Sequence, residues 1–126
     1  MAEGPSDSIL TSTKKVLGIE DDYTVFDIDI IMHINSAFST LLQVADIGSP
    51  GGFEIADKEA TWSEVIQDKK YLNSLKTYIV QKVRLAFDPP STSFAIDAID
   101  KQIKEAEWRL SLYAPPAVYS STPEEG

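Results

Sequence analysis

Thr77-Tyr78-Ile79-Val80-Gln81-Lys82-Val83-Arg84-Leu85-Ala86-Phe87-Asp88-Pro89-Pro90 decides the fold of this chain, together with its continuation Ser93-Phe94 to Glu107-Trp108-Arg109-Leu110. Read as helix, Leu72, Leu75, Ile79, Val83 and Ala86 recur at core spacing, which predicts a helix from about Tyr71 to Phe87. Tyr71, Tyr78 and Leu85 form a second stripe beside the first, and Val80 and Phe87 widen the apolar arc past half the circumference. A helix apolar on so much of its surface sits at the centre of a bundle or of an assembly. Pro89 and Pro90 end it, because proline lacks the amide hydrogen and disfavours helix in the residue before it. A last helix is expected from Ser93 to Tyr113, with Ala95, Ile99, Ile103, Ala106 and Leu110 facing the core. Asp97–Lys101, Asp100–Lys104 and Glu105–Arg109 are spaced for ion pairs one turn apart. On the wheel Trp108 points away from that core stripe, and Phe94 and Leu112 fall within about 40° of it.

Working towards the N-terminus, Thr61-Trp62-Ser63-Glu64 has the pattern of a capping box opening a short helix from Trp62 to Gln67. Phe53-Glu54-Ile55 alternates and reads as a short extended segment, after a glycine-rich turn over Gly48-Ser49-Pro50-Gly51-Gly52. A long one-faced helix is predicted from Phe26 to Ala45. Its core side is Ile30, Ile31, Ile34, Ala37, Phe38, Leu41, Leu42 and Ala45, and its length about 30 Å. The first helix is expected over Ile9 to Leu17, capped by Asp7 or Ser8, closed by Gly18, and anchored by Leu10, Val16 and Leu17. The fold class is therefore mainly α: a small bundle of four to five helices with a short extended segment in the middle. Residues 1–8 are expected to be flexible, 9–113 to form one domain, and 114–126, rich in proline, to be a mobile tail.

The totals fit this reading. A chain of 126 residues makes one domain, and 43% hydrophobic with 25% charged residues is a globular balance. No apolar run approaches the roughly 20 residues of a membrane span, and the acidic, polar start at Met1 is not a secretory signal. Without cysteine there is neither disulfide nor thiolate metal site. The net charge of −9, from 20 acids against 11 bases, argues against gripping nucleic acid through phosphates. An acidic wall that lets a duplex slide past remains compatible with it.

Motifs for chemistry are thin. His33 is the only histidine. Asp27, Asp29 and His33 on one helix lack the closed ligand shell of a metal site, so no metal or cofactor is expected. Glu20, Asp21 and Asp22 lack the glycine and glutamate of a calcium loop. Gly48 to Gly52 is not followed by the lysine of a phosphate loop. One histidine would have to serve every hydrolase scheme, which argues against an enzyme. The features left over are Trp108, Phe94 and Leu112, with Tyr71, Tyr78 and Leu85, as candidate subunit or partner contacts.

Several segments resemble the head–tail connector, or head-completion adaptor, proteins of long-tailed bacteriophages. They are Ile9-Leu10-Thr11-Ser12 with Lys14-Lys15 and Leu17-Gly18-Ile19; Asp29-Ile30-Ile31-Met32-His33-Ile34-Asn35; Gly52-Phe53 with Ala60-Thr61-Trp62; Lys76-Thr77-Tyr78-Ile79 with Lys82 to Pro90; and Ser93-Phe94 with Ile103 to Leu110. All are packing and turn patterns, in order, over residues 9 to 112. The resemblance implies a ring of subunits, a dodecamer in the virion, beneath the portal protein of the head. The ring would present a surface to a downstream stopper or tail protein, while double-stranded DNA passes through without specific binding. It implies a virion location, with the host cytoplasm as the site of assembly, and no membrane. Pro115, Pro116, Val118 and Tyr119 are then expected to contact the portal. The residues alone leave open a monomeric helical module that regulates one phage or host protein, and a metal-dependent hydrolase using Asp27, Asp29 and His33.

Overall fold

The computed structural model describes residues 7–48 and 52–116. Four α-helices carry it: α1 (Ile9–Leu17), α2 (Asp27–Leu41), α3 (Lys69–Phe87) and α4 (Ser93–Tyr113). One 3-10 turn, Trp62–Glu64, lies between α2 and α3. No strand occurs among the described residues; a single antiparallel bridge joins Ser8 to Thr61.

The Pro89-Pro90 break acts as read. α3 ends at Phe87, and α4 starts at Ser93 with the Thr92 side chain accepting from the Ala95 amide at 3.2 Å. The two helices form an antiparallel hairpin, and α2 packs on another side of α3. Leu75, Ile79 and Val83 of α3 have no exposed surface. Burying side chains of this size contributes roughly 1.5–3 kcal/mol each. Opposite them stand Ile30, Ile34, Phe38 and Leu41 of α2, and Ile99, Ile103, Ala106 and Leu110 of α4, all buried. α1 braces α2 and α3 from one end.

Several expectations are corrected. α2 stops at Leu41 rather than Ala45, so it is about 22 Å long. Beyond it the Gln43 and Val44 amides donate to the Thr40 and Leu41 carbonyls, a tighter winding that still delivers Ala45 to the core. The capping box does not form. The Thr61 hydroxyl lies 3.3 Å from Ser63 Oγ and makes no cap bond, and only three residues are helical. The Thr61 backbone is extended instead, because it is committed to the bridge with Ser8. The stretch Phe53-Glu54-Ile55, read as a short extended segment, belongs to no strand among the described residues. Its alternation holds, with Glu54 exposed and Ile55 buried, but it is pinned by one side chain. Asn35 Oδ1 accepts from the Ile55 amide at 2.8 Å, and Asn35 Nδ2 donates to the Ile55 carbonyl at 3.0 Å. Val16 is 51% exposed and anchors nothing; Ile9 takes that place. Ala86 is exposed because the last turn of α3 runs past the core and directs Phe87, not Ala86, at Phe26 and His33.

Both ends of the domain reach further than expected. The Asp7 carbonyl accepts from the Trp62 amide at 3.1 Å, and Ser8 is fully buried. At the other end the Ala114 carbonyl accepts from the Asp46 amide at 2.8 Å. Gly48 turns the chain at a φ of 76°, where a Cβ would stand 2.7 Å from Phe53 Cβ, so only glycine fits.

Candidate interaction surfaces

The outer side of α4 is the first surface. Its inner positions are taken by the core, so a residue half a turn away must face outwards. Phe94, Trp108 and Leu112 are 84%, 61% and 60% exposed. Trp108 borders a groove of about 440 Å³ lined by Gln43, Val44, Lys104, Glu107, Ser111 and Pro116. Of the three ion pairs expected along α4, only Glu105–Arg109 forms among the described residues, at 3.0 Å. Pro115 is exposed and Pro116 half-buried; Val118 and Tyr119 lie outside the described residues.

The second stripe of α3 behaves differently. Tyr78 has no exposed surface, so its ring belongs to the core of its own subunit and not to a contact between subunits. Tyr71 is half-buried and stacks on Tyr113, with ring centroids 4.7 Å apart. Leu85 is also half-buried and packs against the core. The Tyr78 hydroxyl has no hydrogen-bond partner among the described residues. Burial pushes its phenol well above the ordinary tyrosine range, and the Glu107 carboxylate adds to the shift.

A second exposed surface escaped the sequence reading. Tyr23, Val25, Ile28 and Met32 stand open to solvent before and along the first half of α2. Ile28 also borders a groove of about 400 Å³ whose walls include Leu10, Ile31, Ala56 and Asp57. The helix read as one-faced therefore has two apolar sides. The available signal was the Ile28–Met32 pair, one turn apart and off the core stripe.

Two members of the acidic cluster, Asp21 and Asp27, serve structure. Lys14, 1% exposed, lies 2.9 Å from Asp27 Oδ1 and donates to the Asp21 carbonyl at 2.9 Å. The Thr11 hydroxyl donates to Asp21 Oδ1 at 2.9 Å. Asp27 thus neutralises a buried lysine, while Asp21, through its main-chain carbonyl to Lys14 and its carboxylate to Thr11, fixes the connection to α2. His33 makes no ion pair with Asp29 among the described residues; its ring meets the edge of Phe87 at 6.2 Å. No three metal-ligating side chains come together among the described residues. Trp62, read in the sequence only as the start of a short helix, is fully buried, and its indole N–H donates to Ser12 Oγ at 2.8 Å.

The small helical bundle thus leaves large apolar side chains exposed on two of its sides. The chain belongs to the phage connector protein family, whose model matches residues 9–116. It is thus of a structural family of phage particles, one whose members contact other virion components. No curated protein and no solved structure matches it. No described helix is long and apolar enough to cross a membrane.

Proposed function

We propose that this protein is a ring-forming adaptor without enzymatic activity, seated between the portal of the phage head and the next connector or tail component. The observation that carries this reading is the outer side of α4. Three large apolar side chains are exposed on a helix whose opposite side is already buried. Tryptophan is a typical anchor of protein interfaces, and an exposed apolar surface of this kind marks an interaction site. Membership of the connector family supplies the assembly in which it would be covered. The net charge of −9 suits a channel that must release DNA rather than hold it. In this reading Pro115, Pro116, Val118 and Tyr119 contact the portal, and host cytoplasm is where the particle is built.

Light scattering of the purified protein, alone and with a portal ring, tests the reading. A large closed oligomer alone, or one formed on the portal, is expected. A monomer that ignores the portal would replace the adaptor with a monomeric module that binds a single partner. Trp108→Ala is expected to keep the melting temperature and to lose the oligomer.

A further inference from the structure

α2 carries no lysine and no arginine, and the stretch 18–32 that leads into it holds five acids and no base. The same stretch leaves large apolar side chains in solvent: Val25, Ile28 and Met32 are each more exposed than Trp108. A solvated helix side usually bears long charged side chains, and a patch of apolar ones rimmed by charge marks a contact. Ile28 and Met32 stand one turn apart, off the stripe of Ile30 and Ile34 that faces the core. Beside Ile28 lies the α1–α2 groove of about 400 Å³, with Leu10, Ile31 and Ala56 as its apolar lining and Asp57 on its wall.

We propose that this side of α2 docks a segment of a different protein, one with bulky apolar side chains at helical spacing and lysine or arginine among them. Charge selects the bases. Lys14 is taken up by Asp27, and the exposed charges that remain are Glu20, Asp22, Asp29 and Asp57 against Lys15 and Lys58. An acidic rim attracts a basic partner and repels DNA and anionic lipid. The rings act in the same sense. Tyr23 is about half exposed and lies 5.9 Å from Phe26, which meets Phe87 at 5.4 Å, so aromatic rings stand among the acids. A guanidinium or ammonium group is drawn to the faces of such rings. Apolar anchors one turn apart on a partner helix match the Ile28–Met32 spacing and the groove beside it.

A second copy of this chain does not meet that description. Its α4, which bears Phe94, Trp108 and Leu112, is a helix of four acids and three bases. Its α1 and α3 together hold seven bases and no acid, but Val16 is the one large apolar side chain exposed on them. Neither surface joins several apolar anchors to net positive charge. The proposal goes beyond the adaptor reading and stands with or without a ring.

Fluorescence anisotropy of labelled peptides, titrated with the full-length protein, tests it. The probes are a short amphipathic helical peptide of leucine and arginine, the same peptide with glutamate for arginine, and the same with serine for leucine. The leucine–arginine peptide is expected to bind at least about tenfold more tightly than the other two. Ile28→Ser and Met32→Ser, both at exposed positions, should keep the melting temperature and each weaken that binding about tenfold. Asp22→Asn combined with Asp29→Asn should weaken it and flatten its salt dependence. Trp108→Ala should leave it unchanged. Equal binding of the three peptides, binding that survives Ile28→Ser and Met32→Ser, or no binding would overturn the proposal. The absence of cysteine lets a single thiol check the competing occupant. Met32→Cys should react freely with a thiol reagent in the protein alone, whatever its oligomeric state. Protection of that thiol in an oligomer would put a second copy on this side and overturn the proposal as well. A ring that ignores the peptide sinks this proposal alone, whereas a chain that binds the peptide and never oligomerises, even on a portal, sinks the ring alone.

Discussion

Two tryptophans in this chain have opposite environments, and substitution separates them. Trp62 has no exposed surface and ties α1 to the 3-10 turn through Ser12, so Trp62→Ala should cost about 3–5 kcal/mol in chemical denaturation. Trp108→Ala should change stability by no more than about 0.5 kcal/mol, because little is packed around it. Tyr78 gives a prediction of the other sign. Its hydroxyl is buried without a partner among the described residues, so Tyr78→Phe should stabilise the fold by about 1 kcal/mol at neutral pH. The pH dependence follows from the raised phenol pKa. Near pH 10, the ordinary tyrosine value, the unfolded chain begins to lose this proton while the folded chain keeps it. The contribution of the neutral phenol is complete below that pH and is lost as pH rises above it. Denaturation curves across the alkaline range should therefore fall less steeply for Tyr78→Phe than for the parent. An equal slope in the two proteins would show that Tyr78 is solvated.

Among the elements, α1 offers the sharpest test of local geometry. Gly18 closes it at a φ of 81°, and nothing stands within 4 Å of where a Cβ would be. Gly18→Ala should then cost about 1 kcal/mol by backbone conformation alone, without steric clash, as read from thermal or urea unfolding. The limits of α1 and α4 were legible in the sequence because capping groups and prolines act on the residues next to them. Ser8, Gly18 and the Pro89-Pro90 pair all work at short range. What stayed illegible depends on residues far apart in the chain. The Thr61 pattern promised a capping box, but pairing with Ser8 claimed its backbone. Phe53 to Ile55 alternated like a strand, but its partner is the amide of Asn35. Lys14 is buried because Asp21 and Asp27, from the stretch that follows α1, close around it. The α4 surface could be read because a helical wheel needs only local spacing. The α1–α2 groove could not, since its walls come from three separate stretches.

In the molecule as a whole, the bundle ends later than its composition suggested, and truncation should respect that. Ala114 packs against the core and accepts from the Asp46 amide, and Pro116 lines the Trp108 groove. Removing residues 117–126 should keep the melting temperature and weaken attachment to the portal. Removing 114–126 should also lower the melting temperature. Equal portal binding by the shorter and full chains would remove the tail from that contact. The wiring of the bundle also bears on how it comes together in time. α3 and α4 are neighbours in sequence and share the largest contact, so their hairpin closes a short loop. α1 docks through Ser8–Thr61 and Ser12–Trp62, contacts that close most of the first half of the chain into one loop. The hairpin should therefore nucleate folding and α1 should arrive last. Native-state hydrogen exchange should then find α1 amides opening at lower free energy than those of α3. During synthesis the N-terminal helix leaves the ribosome first, yet it must wait for Trp62 and α3 before it has anything to hold.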